Sequence, residues 1–358
     1  MNVEAKFSIK TEKVKNILVR GTNWVGDAVM SLPALVAIRK AFPDARITVL
    51  AKPWVRGVYA HCPDIDGIMT FKQQSGKQSG FLSTRYHVIR QLRDQRFDMA
   101  ILLQNAFEAA LIAFLAGIPC RVGYNTDGRS WLLTHKVMMS EEIRKVHQVY
   151  YYLGMLESLG WKAEDPAPRL IVPPQEKENA VKYLTAKGYR ESDFLLGFNP
   201  GAFFGSAKRW FPAHYAAVAD RAAKQYGAKC IIFGSTQDLP AAREMASRMQ
   251  SAPPIMAAGE TSLEELPGML SMCSLLITND SGLMHMAAAL EAPVVAIFGS
   301  TDPRTTSPYG KEHTIIYRQV PCSPCLLREC PTDHKCMKAI TVDDVWQAVV
   351  EKAGVSGQ

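Results

Sequence analysis

No apolar run in the chain reaches the roughly 18 residues that a membrane-spanning helix needs, so no spanning segment is expected. Met1 to Lys15 carries charges of both signs and lacks the apolar heart of a secretory leader, which points to a cytoplasmic protein. Internal repeats and low-complexity tracts are also missing, which excludes solenoids and fibrous arrays. The dinucleotide fingerprint G-x-G-x-x-G does not follow the first β-branched run, where a nicotinamide oxidoreductase would carry it. The basic residues are scattered, with no aromatic-interleaved basic stripe, so no nucleic-acid partner is expected. Charge of one sign is not strongly in excess either. Against 41 Lys and Arg stand 34 Asp and Glu, a net charge of +7. That balance suits anionic substrates, peripheral contact with an anionic membrane surface, or a plain solvated exterior.

What the chain does have is length and an ordinary globular composition. Its 358 residues exceed one comfortable core, and 47% hydrophobic with 21% charged residues describe a soluble fold of two domains. Short β-branched runs alternate with amphipathic segments. Strands are expected at Asn16–Arg20, Arg46–Ala51, Met99–Leu103, Phe194–Phe198, Cys230–Phe233, Leu275–Thr278 and Val294–Phe298. Helices are expected at Ala28–Ala41, Ala213–Tyr226, Ala241–Met249 and Leu283–Leu290. The alternation predicts an α/β protein with parallel sheets, two Rossmann-like doubly wound domains facing a cleft. The Pro-rich stretch near Ala163–Pro174 places a linker over residues 166–180, between a first domain (1–165) and a second (181–340). A C-terminal helix is expected over 341–358, and Lys72–Gly80 reads as a polar loop.

Four turns at strand ends carry residues suited to chemistry. The stretch Thr278-Asn279-Asp280-Ser281-Gly282-Leu283-Met284-His285 leaves an apolar run and opens an Ala-rich helix. A helix N-terminus offers unpaired N–H groups and the positive end of the dipole, so it suits a phosphate; Asp280 or Ser281 merely capping the helix is the alternative. The second turn, Asn199 to Trp210, combines Gly201, Gly205, Ser206, Lys208 and Arg209, a set that fits a pyrophosphate; a solvent loop with incidental basic residues is the alternative. The third, Gly234 to Asp238, ends in an acid placed to meet ribose hydroxyls. The fourth, Arg20 to Ala28, brings Asp27 to the start of a helix, as a first-turn acid or as a general base. Three of these turns lie in the C-terminal half, which is therefore expected to bind the nucleotide.

Taken together, N-W-V-G-D-A-V-M-S, P-G-A-F-F-G-S-A-K-R-W and T-N-D-S-G-L-M-H-M-A-A-A-L resemble the ADP-heptose:lipopolysaccharide heptosyltransferases of glycosyltransferase family 9, most of all their heptosyltransferase II branch. The resemblance runs from about Asn16 to about Pro308. It implies the glycosyltransferase B fold and inverting transfer of L-glycero-D-manno-heptose from ADP-heptose, with no cofactor or metal in catalysis. The implied acceptor is the lipopolysaccharide inner core, Kdo-lipid A bearing a heptose, at the cytoplasmic face of the inner membrane. By family motif, Asp27 matches the catalytic base and Lys208 the phosphate-binding lysine. Asp280 matches an aspartate near the heptose hydroxyls, and Ser281, Gly282 and His285 match residues around the pyrophosphate. Asp238 falls near the ribose in a looser alignment. Asn23, Trp24 and Asn105 are the acceptor-side candidates, with Glu108 beside them. The alternative inside the family is heptosyltransferase I or a member using another nucleotide sugar. Outside it, the alternatives are a nicotinamide oxidoreductase and a nucleic-acid-binding protein.

One patch departs from the family pattern. Cys322, Cys325, Cys330 and Cys336 fall within 15 residues, with His334 in the last interval. Such soft ligands suit a structural zinc; reduced thiols and disulfides are the alternatives, and no catalytic role is assigned. Cys62, Cys120, Cys230 and Cys273 read as core. Trp24 and Trp210 read either as sugar-facing aromatics or as packing.

Overall fold

The computed structural model describes Ile9 and residues 11–71 and 81–355. The loop expected over Lys72–Gly80 lies outside the described residues. Two compact units divide between Arg169 and Leu170.

The first unit strings together β1 (Asn16–Arg20), β2 (Arg46–Ala51), β3 (Gly67–Thr70), β4 (Met99–Leu102), β5 (Cys120–Tyr124) and β6 (His135–Val137). They form one parallel sheet in the order β3-β2-β1-β4-β5-β6. The second unit repeats the plan with β7 (Leu195–Asn199), β8 (Lys229–Ile232), β9 (Ile255–Met256), β10 (Leu275–Asn279), β11 (Val294–Phe298) and β12 (Thr314–Tyr317). Its order, β12-β11-β10-β7-β8-β9, is again fully parallel. Both are doubly wound Rossmann-like sheets. Strand progression reverses at β1/β4 and at β7/β10, and loops leaving those strand ends part to leave a crevice.

Burial explains the strand sequences. β7, β10 and β11 have every residue buried, so they read as continuous apolar runs instead of alternating ones. The strands that escape the sequence reading are β3, β5, β6, β9 and β12. Most are short or interrupted: β5 includes Arg121 and Gly123, and β9 is two residues long.

Two expectations need correction. The helix expected over Ala28–Ala41 is two helices, Val25–Met30 and Leu32–Ala41. Pro33 has no N–H to continue the ladder, and the Ser31 hydroxyl donates back to the carbonyl of Ala28 (2.8 Å). The second half of the expected 166–180 linker is also helical. Pro174 opens the helix Pro174–Ala186, whose Ala180 and Leu184 are buried. A proline at a first helical position starts a helix as readily as it stiffens a linker. That helix packs closely on Leu266–Leu270: a Cβ on Gly268 would fall 2.6 Å from the carbonyl oxygen of Glu176. The C-terminal helix spans Val342–Val355; residues 356–358 lie outside the described residues.

Candidate active site

In the second unit the site is built around a buried amide. Asn279 ends β10 and is fully buried. Its Nδ2 donates to the carbonyls of Pro200 (3.0 Å) and Gly201 (3.1 Å), in the turn after β7. Its Oδ1 accepts from the Trp210 backbone N–H (2.8 Å) and the Tyr215 hydroxyl (2.9 Å). Alongside, Asn199 donates from Nδ2 to the Ser281 hydroxyl (2.8 Å). Ser281 is the N-cap of the helix Gly282–Ala289 and accepts from the N–H of Met284. Two of the four turns that the sequence singles out, those after β7 and β10, are thereby one cross-linked body.

That body carries the charges. Lys208 closes the short turn Ser206–Lys208 and reaches across to Asp280, Nζ to Oδ2 2.5 Å. The Thr301 hydroxyl donates to the same carboxylate oxygen (2.7 Å), and Asp280 is buried. The pair therefore sits beside the start of Gly282–Ala289, whose first-turn N–H groups have no carbonyl of their own helix to reach. Arg209 donates to the carbonyl of Ala202 (3.3 Å) and lies 3.6 Å from Asp238. Asp238 is more committed than expected. Its Oδ2 accepts from the Ser235 N–H (3.0 Å) and hydroxyl (2.7 Å), a capping box that starts the next helix. Its other oxygen faces Gly201, where a Cβ would fall 2.2 Å from Oδ1, so only glycine lets the two turns approach this closely. His285 is buried on the helix behind the turn. Trp210 is buried too, and its indole N–H donates to the carbonyl of Ile340 (3.0 Å); the packing reading holds for it.

In the first unit a cleft of about 470 Å³ opens at the ends of β1 and β4, with Asp27, Asn23, Trp24 and Asn105 on its wall. Asp27 is the third residue of Val25–Met30 and not its cap, a place taken by Trp24. It accepts a hydrogen bond from the Tyr152 hydroxyl (3.1 Å). Burial, reinforced by the carboxylate itself, holds the Tyr152 phenol well above its ordinary pKa, so it stays a donor to Asp27. Asn23 accepts from Arg20 (3.1 Å). Asn105 accepts from Arg129 (2.6 Å) and donates to the Tyr151 hydroxyl. Glu108 is held by Arg85 (2.7 Å). Trp24 is 41% exposed on the cleft wall.

Residues 85–336 match the family model for glycosyltransferase family 9 (heptosyltransferase). The chain belongs to that family. It is 34% identical over 311 residues to lipooligosaccharide heptosyltransferase 2 of Haemophilus influenzae, across 84% of this chain and 88% of that one. Lipopolysaccharide heptosyltransferase 2 of Escherichia coli is 32% identical over 306 residues, across 84% and 87%. The solved structure of ADP-heptose lps heptosyltransferase II from E. coli superposes with a TM-score of 0.80 at 28% identity, covering 96% of this chain and 100% of that one. The chain is thus a family 9 glycosyltransferase with two Rossmann-like units, as the motifs imply.

The candidate site also contains residues the sequence reading misses. Asn279 stands inside the T-N-D-S-G motif but looks like one more small turn residue. Arg129 lies in an ordinary turn, T-D-G-R-S, yet it is fully buried and its burial lowers the guanidinium pKa to about 10. Tyr151 and Tyr152 sit in a helix, Gln148–Glu157, whose apolar periodicity looks like core. No local signal marks Arg129; only its tertiary partners do.

The cysteine expectation is also changed. Cys322, Cys325, Cys330 and Cys336 are all free thiols, so the disulfide alternative is not seen. Cys336 is buried, which raises its thiol pKa, and the three other cysteines raise it further, so the four share one neighbourhood. Yet no group of three or more His, Cys, Asp or Glu among the described residues is arranged to hold a metal. Hydrogen bonds with Thr332 favour the Cys330 thiolate. Burial instead pushes the Cys230 and Cys273 thiols up to about 12.

Two outcomes follow from this geometry. Asn279→Ala strips partners from the buried Trp210 N–H, the Tyr215 hydroxyl and two carbonyls, and urea unfolding is expected to register a loss of about 3 kcal/mol or more. A loss below about 1 kcal/mol, on the same scale of unpaired groups, means the amide does not brace the turns. Iodoacetamide at neutral pH, followed by peptide mass spectrometry, is expected to mark Cys330 and leave Cys230 and Cys273 untouched in the native protein.

Proposed function

We propose that this chain transfers L-glycero-D-manno-heptose from ADP-heptose onto the first heptose of the lipopolysaccharide inner core, with inversion and without a catalytic metal. The observation that carries the reading is the Lys208–Asp280 pair fixed beside the helix Gly282–Ala289, in a chain 32–34% identical to enzymes named heptosyltransferase 2.

The donor is assigned to the second unit. As the bond to the anomeric carbon breaks, negative charge grows on the departing diphosphate. Lys208 and Arg209 lie where they can meet it, and the N–H groups and dipole at Gly282 and Leu283 add to them. Asp280 holds Lys208 in place before the donor arrives, and its carboxylate is suited to ease positive charge developing on the sugar. Ser206, Gly201 and Ser281 shape the turn around the diphosphate, while His285 supports it from behind. Asp238, packed against Gly201 and 3.6 Å from Arg209, braces the turn on the ribose side.

The acceptor is assigned to the first unit. Asp27 takes the proton of the attacking hydroxyl as the new bond forms, much as a carboxylate activates water in inverting glycosidases. The Tyr152 hydrogen bond orients Asp27. Trp24, Asn23 and Asn105 line the cleft that receives the acceptor sugar. The chain would work at the cytoplasmic face of the inner membrane, with its +7 net charge favouring loose contact with anionic lipid. No described helix is long and apolar enough to cross a membrane. A structural zinc on Cys322, Cys325, Cys330 and Cys336 forms no part of this reading, since no step of the transfer uses it.

Replacing Asp27 by Ala is expected to lower kcat by about 10²–10⁴ and to leave ADP affinity nearly unchanged. If the variant keeps more than about a tenth of wild-type turnover, the base is another group. Lys208→Ala is expected to weaken ADP binding and to slow transfer, with no recovery on adding Mg²⁺. Wild-type activity that vanishes in EDTA contradicts the metal-free mechanism.

A further inference from the structure

The helix that follows the first unit's cleft wall carries its large side chains on the outside. Phe107–Leu115 reads F-E-A-A-L-I-A-F-L, with Glu108 its only charged residue. Ala109, Ala110, Ile112 and Ala113 fill its buried face, while Phe107, Phe114 and Leu115 are exposed. A helix lying on a sheet ordinarily gives its outer face to polar residues, and one that is apolar all round is covered on both sides. Trp131, between β5 and β6, adds a third ring and is 65% exposed. Its centroid lies 6.2 Å from that of Phe107 and 6.3 Å from that of Phe114. Three rings and a leucine side by side differ from the scattered single apolar residues of an ordinary surface.

The rim of this patch is cationic. The Arg121 guanidinium lies 5.3 Å from the centroid of the Phe114 ring and donates to the carbonyl of Leu132 (2.6 Å). Arg93 donates from Nε to the carbonyl of Leu115, the last residue of the helix (3.0 Å). Among the described residues no ion pair joins either guanidinium to a carboxylate. The helix's one acid, Glu108, is held by Arg85 (2.7 Å), and Asp127, ahead of Trp131, acts on the charge of the buried Arg129. Carbonyls occupy N–H groups without cancelling the positive charge, so apolar rings stand beside uncancelled cations. A two-fold contact with a second copy would lay the patch on itself, cations against cations. An anionic lipid surface satisfies both features: rings sit at the headgroup level, and arginines reach lipid phosphates. The position fits as well. Phe107 comes two residues after Asn105 of the cleft wall, and Trp131 two after Arg129, which donates to Asn105 (2.6 Å). A membrane met at this surface keeps the cleft where the sugars of a lipid-linked acceptor stand.

We propose that Phe107, Phe114, Leu115 and Trp131, with Arg93 and Arg121, form a docking surface for an anionic lipid membrane. The argument from position rests on the reading that the acceptor is lipid-linked; the surface itself does not, so its test contains no acceptor. The purified chain is mixed with vesicles of phosphatidylglycerol and phosphatidylethanolamine, or of phosphatidylcholine alone, and the bound fraction is read by flotation. The wild type is expected to float with the anionic vesicles and not with phosphatidylcholine. Phe114→Ser combined with Trp131→Ser is expected to weaken the partition roughly tenfold or more, and Arg93→Gln roughly fivefold, with the melting midpoint unchanged. Ile171→Ser, at an exposed apolar residue of the second unit, is expected to float like the wild type. A wild type that leaves the anionic vesicles bare, or a double variant that floats as well as the wild type, overturns the proposal. So does a dimer in light scattering that Trp131→Ser converts to monomer, which makes the face an interface between copies. A chain that floats as expected yet transfers no heptose keeps the surface and loses the acceptor reading. One that transfers heptose to a deacylated acceptor without floating keeps the transferase reading and loses the surface.

Discussion

The buried side chain of Asn279 is the constraint on which the second unit's crevice depends. Two loops leave β7 and β10 at the point where the sheet reverses, and nothing in the backbone ladder ties them together beyond the strand ends. Asn279 does so with an amide that donates to one loop's carbonyls and accepts from that loop's far end and from the following helix. An unpaired amide in such a place would be costly, whereas a fully paired one in a low-dielectric interior is rigid. The rigidity passes to Asp280, which adjoins Asn279, and to Lys208, two residues before the Trp210 N–H that Asn279 holds. A cation and a carboxylate kept in register without ligand are what an anion site needs if it is not to reorganise during reaction.

The first unit solves the same problem with arginines. Arg129 spreads its donors over the carbonyls of Tyr124 and Gln104 and the side chain of Asn105, joining the turn after β4 to that after β5. Arg20 does the same for the turn after β1, reaching the carbonyls of Gly21 and Leu50 and the side chain of Asn23. Both guanidiniums are buried, and both have their pKa lowered to about 10 by that burial; they remain charged at neutral pH. Their role is structural electrostatics, holding cleft residues by several short bonds each. Asp27, by contrast, is only partly buried and has the Tyr152 hydroxyl as a donor, so the carboxylate stays accessible from the cleft.

Much of this was legible in the sequence, for identifiable reasons. Fully buried parallel strands are unbroken apolar runs, so β7, β10 and β11 announce themselves; β9, two residues long, does not. The turns after β1, β7, β8 and β10 were visible because glycine, hydroxyl and charged residues cluster there against apolar flanks. The individual roles were less so. Asp238 and Ser281 are capping residues in the free protein as well as candidate ligands, since cap and anion site use the same groups. Trp210 looked like Trp24 in one dimension, yet one is core and the other lies on the cleft. Pro174 opened a helix where a linker was expected. The cysteine-bearing segment looked independent of the donor turns, and its docking on Ala207 and Ser300 depends on contacts more than a hundred and about twenty-five residues apart, beyond the reach of any local pattern. Family membership removes the nicotinamide and nucleic-acid alternatives that composition alone left open.

The account stands or falls on the reaction itself. The direct measurement incubates the purified chain with ADP-heptose in EDTA and a panel of truncated core acceptors, and reads the products by mass spectrometry and by NMR of the new anomeric centre. The predicted result is addition of one heptose to the acceptor that already ends in heptose, with inverted configuration and no addition to the acceptor ending in Kdo. Transfer to the Kdo-terminated acceptor alone, retention at the anomeric carbon, or no transfer from ADP-heptose to any acceptor would contradict it.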